Sequence, residues 1–328
     1  MNSKEIIQKT LDFTGPRRVG RSFGDSDFAS AGHNVDTPAT GWEKVAEKRW
    51  ERTDEWGNKW ARVDPTSKGE VVEGALSGVE DIEDYQFPDF SNFADYKSVQ
   101  KKRKEVEDKW LIGWLPGFTF NIARKLLKLD KYLTTILLEK ELIHKLHDKI
   151  DAMLEDMIVN YARAGVDSVM FPEDWGTQDQ TFISPDLWQE EFYPRFKKLC
   201  SLAHDNGIRV FMHSCGKMTA IIPGLIEAGI DVLQFDQPRV HGIDTLASFQ
   251  EDNKITFWCP VDIQKDLQTK DEEQIRAGAR EMLDELWQGR GGFIAGYYGD
   301  NDSIGLDPKW QDIACEEFIE KGKKENYM

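Results

Sequence analysis

The chain has 328 residues, of which 40% are hydrophobic, and its formal net charge is −17. This is enough for one α/β barrel with insertions, and the acidic balance argues against a nucleic-acid surface, which needs clustered Lys and Arg. No apolar run approaches the roughly 20 residues of a membrane helix, the N-terminus lacks the apolar core of a signal peptide, and four cysteines do not form a disulfide framework. We expect a cytoplasmic protein with reduced thiols and no nucleic-acid or membrane partner.

The N-terminal third shows little periodicity. A short helix is predicted over residues 1–13, and the segment 17–36 has no clear period. A tryptophan-rich stretch follows at 41–75, where residues 54–58 predict a hairpin turn between extended pieces. We interpret residues 1–95 as an N-terminal extension that covers one end of a single domain formed by the whole chain.

Strand and helix patterns alternate through the rest of the chain. Six strands are predicted, at 110–115, 167–171, 208–213, 231–235, 254–259 and 292–295. Helices are predicted at 98–107, 118–127, 131–138, 141–164, 184–206, 218–228, 244–250, 271–286 and 308–320. Repeated strand–helix units imply parallel strands with helices outside them. A (β/α)8 barrel and an open doubly wound sheet both fit, and a barrel would need two more strands from the N-terminal third.

A His-x-Cys pair ends one of these strands. His213 and Cys215 are two residues apart on extended chain, so their side chains leave the same side of the backbone. A neutral imidazole and a thiolate are zinc ligands. In a barrel, chemistry takes place at the C-terminal strand ends, where this pair lies.

Further donors end two other predicted strands. Cys259 follows the strand at 254–258, and we predict it as the third metal ligand beside His213 and Cys215. Three protein ligands and an open position are typical of catalytic zinc. Glu173 or Asp174 could add an exchangeable oxygen ligand, or instead orient His213 or a substrate hydroxyl.

The remaining two cysteines have a simpler interpretation. Cys200 and Cys315 lie at core spacing on predicted helices. Free cysteine commonly behaves as a small buried hydrophobe. We therefore predict that both are structural.

Eight segments, in this order and spacing, resemble the uroporphyrinogen decarboxylase superfamily. They are 174–178 (DWGTQ), 183–188 (ISPDLW), 193–197 (YPRFK), 213–216 (HSCG), 221–225 (IIPGL), 229–233 (GIDVL), 261–264 (VDIQ) and 291–294 (GGFI). The resemblance covers roughly residues 100–320 and implies a (β/α)8 TIM barrel. The superfamily contains cofactor-free porphyrinogen decarboxylases and zinc-dependent, corrinoid-linked methyltransferases.

Two segments help to distinguish the decarboxylase branch of this superfamily from the methyltransferase branch. The decarboxylases have an N-terminal Arg-Gln-Ala-Gly-Arg stretch that binds substrate carboxylates, whereas residues 15–21 here read GPRRVGR. The thiol methyltransferases place their last zinc cysteine in a Pro-Gly-Cys turn after the final strands, whereas residues 295–300 here read AGYYGD. The His-x-Cys pair resembles the methyltransferase branch, and Cys259 or a carboxylate would then complete the zinc site.

The resemblance implies methyl transfer between a small substrate and a corrinoid. The chain contains no Asp-x-His-x-x-Gly segment, so the corrinoid (cobalamin) is expected on a separate corrinoid protein. For a methoxylated aromatic, Zn2+ would act as a Lewis acid on the ether oxygen, giving O-demethylation. The predicted catalytic carboxylates are Glu173, Asp174 and Asp262, and a homodimer is compatible with the sequence.

Six side chains near strand ends are predicted to bind the substrate. They are Trp175, Gln178, Trp258, Gln264, Tyr297 and Tyr298. The aromatic members could form a wall for an aromatic ring or simply pack at the rim. Three other functions stay open: a metal-free lyase acting on a small carboxylic acid, a thiol-methylating corrinoid enzyme, and a noncatalytic binding barrel with inert cysteines.

Overall fold

The computed structural model describes residues 1–252 and 254–328. In this part of the chain, twelve strands form two sheets. The strands are β1 Gly20–Arg21, β2 Phe28–Ala31, β3 Glu43–Ala46, β4 Arg49–Thr53, β5 Lys59–Arg62, β6 Glu70–Glu73, β7 Trp110–Trp114, β8 Ser168–Pro172, β9 Arg209–His213, β10 Val232–Gln234, β11 Thr256–Cys259 and β12 Phe293–Ala295. Eight of them are ordered β1-β12-β11-β10-β9-β8-β7-β2, and every neighbouring pair is parallel.

The eight-stranded sheet forms a nearly closed (β/α)8 barrel, which confirms the predicted fold class. Its two edge strands are consecutive in the chain, and the Asp27 N–H before β2 donates to the Arg21 carbonyl of β1 at 3.0 Å. The helices flanking the sheet are α1 Ser3–Leu11, α2 Lys97–Glu105, α3 Thr119–Leu126, α4 Leu129–Leu138, α5 Lys140–Ala164, α6 Pro185–Glu191, α7 Tyr193–Asp205, α8 Ile222–Ala228, α9 Ile243–Ser248, α10 Glu272–Met282 and α11 Lys309–Lys321.

The two strands that the sequence did not locate lie in the segment 17–36, upstream of the tryptophan-rich stretch. β1 has two residues and β2 has four, which is too short for an alternating pattern to be recognised. Pairing with distant strands holds them instead, since β1 pairs with β12 and β2 pairs with β7. The fully buried Asp27 links the two strands, because it forms an ion pair with Arg18 at 2.6 Å and accepts from the Arg21 N–H at 2.9 Å. The six predicted strands are confirmed as β7 to β12.

A separate antiparallel sheet, β3 to β6, is inserted between β2 and β7. The predicted turn at 54–58 joins β4 to β5, as the Asp54 N–H donates to the Asn58 carbonyl at 3.0 Å. The Asp54 carboxylate accepts from the Asn58 N–H at 2.9 Å and the Trp60 indole at 2.7 Å. The hairpin prediction is therefore confirmed.

The helix predicted over 184–206 is two helices, α6 and α7, which meet at Phe192. Ser184 caps α6 as expected, because its side chain accepts from the Leu187 N–H at 3.2 Å. Pro194 lies in the first turn of α7. Proline has no N–H and clashes with the preceding turn, so a continuous helix cannot pass through it without a break.

Two hydrophobic cores lie on opposite faces of the barrel strands. The inner core fills the barrel and consists of Ile7, Leu11, Trp110, Ile112, Met170, Phe211, Val232 and Ile294. The larger outer core lies between strands and helices. Successive strand residues point to opposite faces, so on β11 the Trp258 side chain packs against the inner core and Cys259 belongs to the outer one. Among the described helices, none has the length and apolar character needed to cross a membrane.

Candidate metal centre and active-site cavity

Asp174, His213 and Cys215 meet at the C-terminal ends of β8 and β9. Their candidate ligand atoms all lie within 4.8 Å of one another. The Cys215 Sγ lies 3.3 Å from the His213 Nε2, and an Asp174 carboxylate oxygen lies 3.8 Å from the same nitrogen. The His-x-Cys spacing thus brings both donors together, and the adjacent strand adds a carboxylate.

Two glycines allow the loops after β8 and β9 to approach each other closely. A Cβ added to Gly216, whose φ is +73°, would lie 2.2 Å from the Gly176 carbonyl oxygen. Any larger residue at either position would push the two loops apart. Because the loops touch, the Cys215 N–H donates to the Asp174 carboxylate at 3.0 Å. The glycine after Cys215 therefore helps to assemble the cluster.

Gln234 orients the imidazole of His213 from the neighbouring strand β10. The two residues are in register, and the Gln234 Oε1 contacts the His213 Nδ1. The Gln234 amide nitrogen donates to the Asp236 carboxylate at 2.8 Å, which fixes the amide orientation. Since an amide oxygen only accepts, His213 carries its proton on Nδ1 and directs the Nε2 lone pair at Cys215 and Asp174. Metal-binding histidines are commonly held in this way.

Two of the three donors, Asp174 and Cys215, have pKa values shifted in opposite directions. Burial disfavours the charged form of Asp174, but His213 and Arg124 outweigh it and hold the pKa of this carboxyl below its usual value. Desolvation, followed by the carboxylates of Asp174 and Asp236, raises the pKa of the Cys215 thiol to about 12. A nearby cation would favour the thiolate, as bound metal ions do generally.

This donor set fits zinc. An imidazole nitrogen, a cysteine sulfur and a carboxylate oxygen are all zinc ligands, and three protein ligands with one open position are typical of catalytic sites. Magnesium and calcium prefer all-oxygen sites and do not match a thiolate. Asp174, His213 and Cys215 are therefore the residues that could hold a zinc ion.

Cys259, the predicted third ligand, does not join this cluster. Its side chain is fully buried in the outer core, and the group of adjacent donors does not include it. Strand alternation is the reason, because Trp258 occupies the inward position and Cys259 must point to the helices. Asp174 takes the place that was predicted for Cys259. Cys200 is buried in the outer core and Cys315 packs against that core, as predicted.

We expect Cys259→Ala to leave the bound zinc unchanged and to lower the free energy of unfolding by about 1 kcal/mol, the cost of removing one buried heavy atom from a packed core. Elemental analysis and denaturant unfolding would measure the two quantities. Cys200→Ala is the matched control, since this thiol is equally buried. Loss of zinc from Cys259→Ala but not from Cys200→Ala would restore Cys259 as a ligand.

The predicted catalytic residues Glu173 and Asp262 are buried and accept hydrogen bonds from backbone N–H groups. Glu173 is fully buried and accepts hydrogen bonds from the N–H groups of Phe118, Phe120 and Asn121, at the start of α3. Burial raises the pKa of Glu173 to about 8, although these donors oppose the shift. Asp262 is also buried and accepts from three backbone N–H groups, those of Arg239, Gln264 and Lys265. Neither carboxyl faces the cluster, whereas the third predicted residue, Asp174, belongs to it.

The two predicted tryptophans differ in exposure, since Trp175 is buried and Trp258 is partly exposed. Trp175 is fully buried and stacks on Phe120 with ring centroids 4.2 Å apart, so its ring has no surface free for a ligand. Trp258 stacks on Phe28 at 4.6 Å inside the barrel, and its indole donates to Ser22 Oγ at 3.3 Å. Trp175 thus packs the outer core, whereas Trp258 lies at the same register level as Gln234 and His213 and stays partly exposed.

The other four predicted substrate residues lie at the rim. Gln264 is exposed, and Gln178 is exposed and donates to the Gln237 side chain at 3.1 Å. Tyr297 accepts from Asn301 at 3.3 Å. The ring of Tyr298 has the Lys68 Nζ 5.5 Å from its centroid. Of these, Tyr298 is connected to the cluster, through Lys68.

Lys68 and Gln234 are site residues that the sequence analysis missed. Lys68 comes from the β5–β6 loop of the antiparallel sheet, and Tyr298, Cys215 and Asp236 act against its desolvation to raise its pKa. Gln234 carried a weak signal, since it ends a predicted strand next to the one that carries His213. Nothing in the local sequence around Lys68 indicated a role.

A cavity of about 1240 Å³ adjoins the cluster. Asp174 and Pro172 line it from the barrel, α3 and α4 line one side, and the antiparallel sheet lines the other. The sheet therefore lies over the C-terminal end of the barrel. The volume exceeds that of typical small-ligand pockets, which is about 300–1,000 Å³.

Comparison with known families and structures agrees with this architecture. The model of the uroporphyrinogen decarboxylase (URO-D) family matches residues 63–297, which is more than half of the chain. A methyltransferase from Methanosarcina mazei superposes with a TM-score of 0.58 at 16% identity, over 77% of this chain and 72% of that one. At this identity the likeness shows the fold alone. Comparison with curated protein sequences finds no match.

Two further structures show weaker similarity. A D-psicose 3-epimerase in the presence of D-fructose gives a TM-score of 0.42 at 11% identity, over 74% of this chain and 86% of that one. A glycosylated endo-β-1,4-xylanase from Gloeophyllum trabeum gives 0.43 at 10% identity, over 71% and 81%. Neither likeness bears on the function.

Proposed function

Because the chain belongs to the uroporphyrinogen decarboxylase family and carries a nitrogen, sulfur and oxygen donor cluster at the catalytic end of its barrel, we propose that it is a zinc-dependent methyltransferase. It moves a methyl group between a small substrate, most simply a methoxylated aromatic, and a corrinoid bound to a separate protein. The observation that carries this proposal is the group formed by Asp174, His213 and Cys215.

The chain's own residues would prepare this site for an ether substrate. When bound, zinc would polarise the ether oxygen as a Lewis acid and favour its departure as a phenolate. Gln234 keeps the His213 proton on Nδ1, so Nε2 stays available for coordination. Arg124 pairs with Asp174 at 3.3 Å, so this carboxylate stays ionised and directed at the cluster. Lys68 partly balances the negative charge of the donors.

Arg18, in the segment that differs from the decarboxylase motif, has a structural role. Arg18 in this segment is bound to the buried Asp27 through two hydrogen bonds of 2.7 and 2.6 Å. Its guanidinium therefore stabilises the barrel edge and is not free to hold a substrate carboxylate. Arg18 is thus excluded from an N-terminal arginine clamp of the kind that a porphyrinogen decarboxylase would need.

We expect the purified zinc-loaded protein to demethylate a methoxylated aromatic only when a reduced corrinoid protein is present. The chain has no corrinoid-binding Asp-x-His-x-x-Gly segment, so the methyl acceptor must be supplied by a partner. Release of the phenol, measured by chromatography, should accompany methylation of cobalt, seen as a change in the corrinoid spectrum.

The matched control is the same mixture with Cys215→Ala, which should give neither signal. Demethylation without any corrinoid protein would contradict the proposal. So would release of carbon dioxide from the substrate in place of the methyl group.

A further inference from the structure

The cavity beside the cluster is cationic, although the protein is acidic. Its lining includes five cationic side chains, those of Arg52, Lys68, Arg124, Lys125 and Lys128, against three carboxylates, those of Glu70, Asp130 and Asp174. In the whole chain, acidic residues outnumber Lys and Arg by 59 to 42. The balance of charge is therefore reversed at this cavity, which reaches the candidate metal centre through Asp174.

Two of these cations have no acidic partner. Across residues 1–252 and 254–328, the side chains of Arg52 and Lys125 form no ion pair or hydrogen bond, and the Arg52 Nε is buried without a partner. The Arg52 guanidinium lies against the Trp42 and Trp60 rings, 5.3 and 4.8 Å from their centroids. The Lys125 Nζ lies 5.6 Å from the centroid of Trp60.

This arrangement is costly without a bound anion. Burial, followed by repulsion from Arg124, lowers the pKa of Lys125, and the carboxylates of Glu55, Asp174 and Asp54 offset this only in part. An aromatic face compensates a cation only in part, by about 0.5–2 kcal/mol. Arginine presents a planar fork of donors that matches a carboxylate, and at Arg52 the two terminal nitrogens of that fork remain available, since only the Nε is buried. The cavity thus offers two preorganised donors for an acidic group.

Apolar side chains form another part of the same cavity. They are Val71, Val72, Leu129, Leu133, Pro172 and Phe182. A ligand that fits this lining has an apolar ring and an acidic substituent. The volume of about 1240 Å³ leaves room for a substituted aromatic ring that reaches Asp174.

We propose that the substrate is a methoxylated aromatic acid, whose carboxylate binds to Arg52 and Lys125 while its ring lies against the apolar wall. This inference rests on the proposed function for the ether group, but the binding of the carboxylate depends on the cavity alone. The antiparallel sheet would then serve to select acidic substrates, since it supplies Arg52 and Trp60, and Trp42 directly precedes its first strand.

Calorimetric titration of the zinc-loaded protein with 4-methoxybenzoate and with its methyl ester tests the proposal without turnover. We expect the acid to bind at least about tenfold more tightly than the neutral ester, the effect of one charge-assisted hydrogen-bond pair. Arg52→Gln and Lys125→Gln should each remove most of this difference. Arg52 lies on β4 and Lys125 lies on α3. A local structural change caused by one substitution therefore cannot explain the same loss of preference in both variants.

Arg49→Gln is the matched control. Arg49 lies on the same strand as Arg52 but pairs with Glu51 at 2.6 Å and does not line the cavity, so the preference for the acid should persist. Equal binding of acid and ester, or an undiminished preference in Arg52→Gln, would overturn the proposal. Tighter binding of 4-methoxyphenyl phosphate than of the benzoate would overturn the choice of a carboxylate.

The result of the binding titration is independent of the result of the methyl-transfer assay. Preferential binding of the acid with no methyl transfer would retain the anion site and reject the proposed function. Methyl transfer from acid and ester with equal efficiency would retain the proposed function and reject the anion site.

Discussion

His213→Ala and Cys215→Ser are each expected to remove the bound zinc and to abolish detectable methyl transfer while the barrel remains folded. The wild-type protein should carry about one zinc per chain, since one donor cluster is present. Each substitution leaves two protein ligands, too few for a catalytic zinc site. Both residues lie at the C-terminal strand end, where function is lost without dismantling the core. Elemental analysis, the corrinoid assay and circular dichroism would measure the three quantities.

His204→Ala is the control for this pair. His204 is a partly exposed histidine that contacts Asp231 at 2.8 Å and lies outside the cluster, so both zinc content and activity should be unchanged. Full zinc content in both His213→Ala and Cys215→Ser would show that the cluster does not hold the metal. Full activity after complete zinc loss would show that the metal takes no part in the reaction.

Glu173→Ala is expected to lower the free energy of unfolding by roughly 3–5 kcal/mol. The substitution leaves the N–H groups of Phe118, Phe120 and Asn121 without their acceptor at the buried start of α3. Each buried donor left unsatisfied costs about 1–3 kcal/mol. Denaturant unfolding would measure the loss, and at low temperature the folded fraction should still bind zinc.

Glu190→Ala is the control for this prediction. The Glu190 side chain is 63% exposed and pairs with Lys140 on the surface, so the change in stability should stay within about 0.5 kcal/mol. If Glu173→Ala instead kept its stability and lost methyl transfer, Glu173 would have the catalytic role that the sequence suggested.

The two halves of the proposed site come from different parts of the chain. The barrel supplies Asp174, His213 and Cys215, and the inserted sheet supplies Arg52 and Lys68. Chemistry and substrate selection can therefore be tested independently at Arg52, which has no contact with the donor cluster, whereas Lys68 interacts with Cys215 and links the two halves. A loss of zinc from variants of the sheet would indicate that the two parts depend on each other.

Local patterns were sufficient for much of the architecture. The helical and strand periodicities located β7 to β12, and the turn at 54–58 indicated a hairpin. The spacing of His213 and Cys215 predicted that both donors lie together, as they do, although β9 ends at His213 and the loop contact at Gly216 holds Cys215 in place. Helical spacing likewise identified Cys200 and Cys315 as structural.

Tertiary structure decided the rest, since those features depend on contacts between segments far apart in the chain. Cys259 and Asp174 both follow predicted strands, and only the packing of Trp258 into the barrel turns Cys259 away from the cluster. β1 and β2 are too short to show a period, and barrel closure holds them. Gln234 reaches the cluster because β10 lies beside β9, and Lys68 reaches it because the inserted sheet lies over the barrel. Neither the strand order nor the position of the sheet can be read from a local pattern, since both depend on strands that meet only in the folded chain.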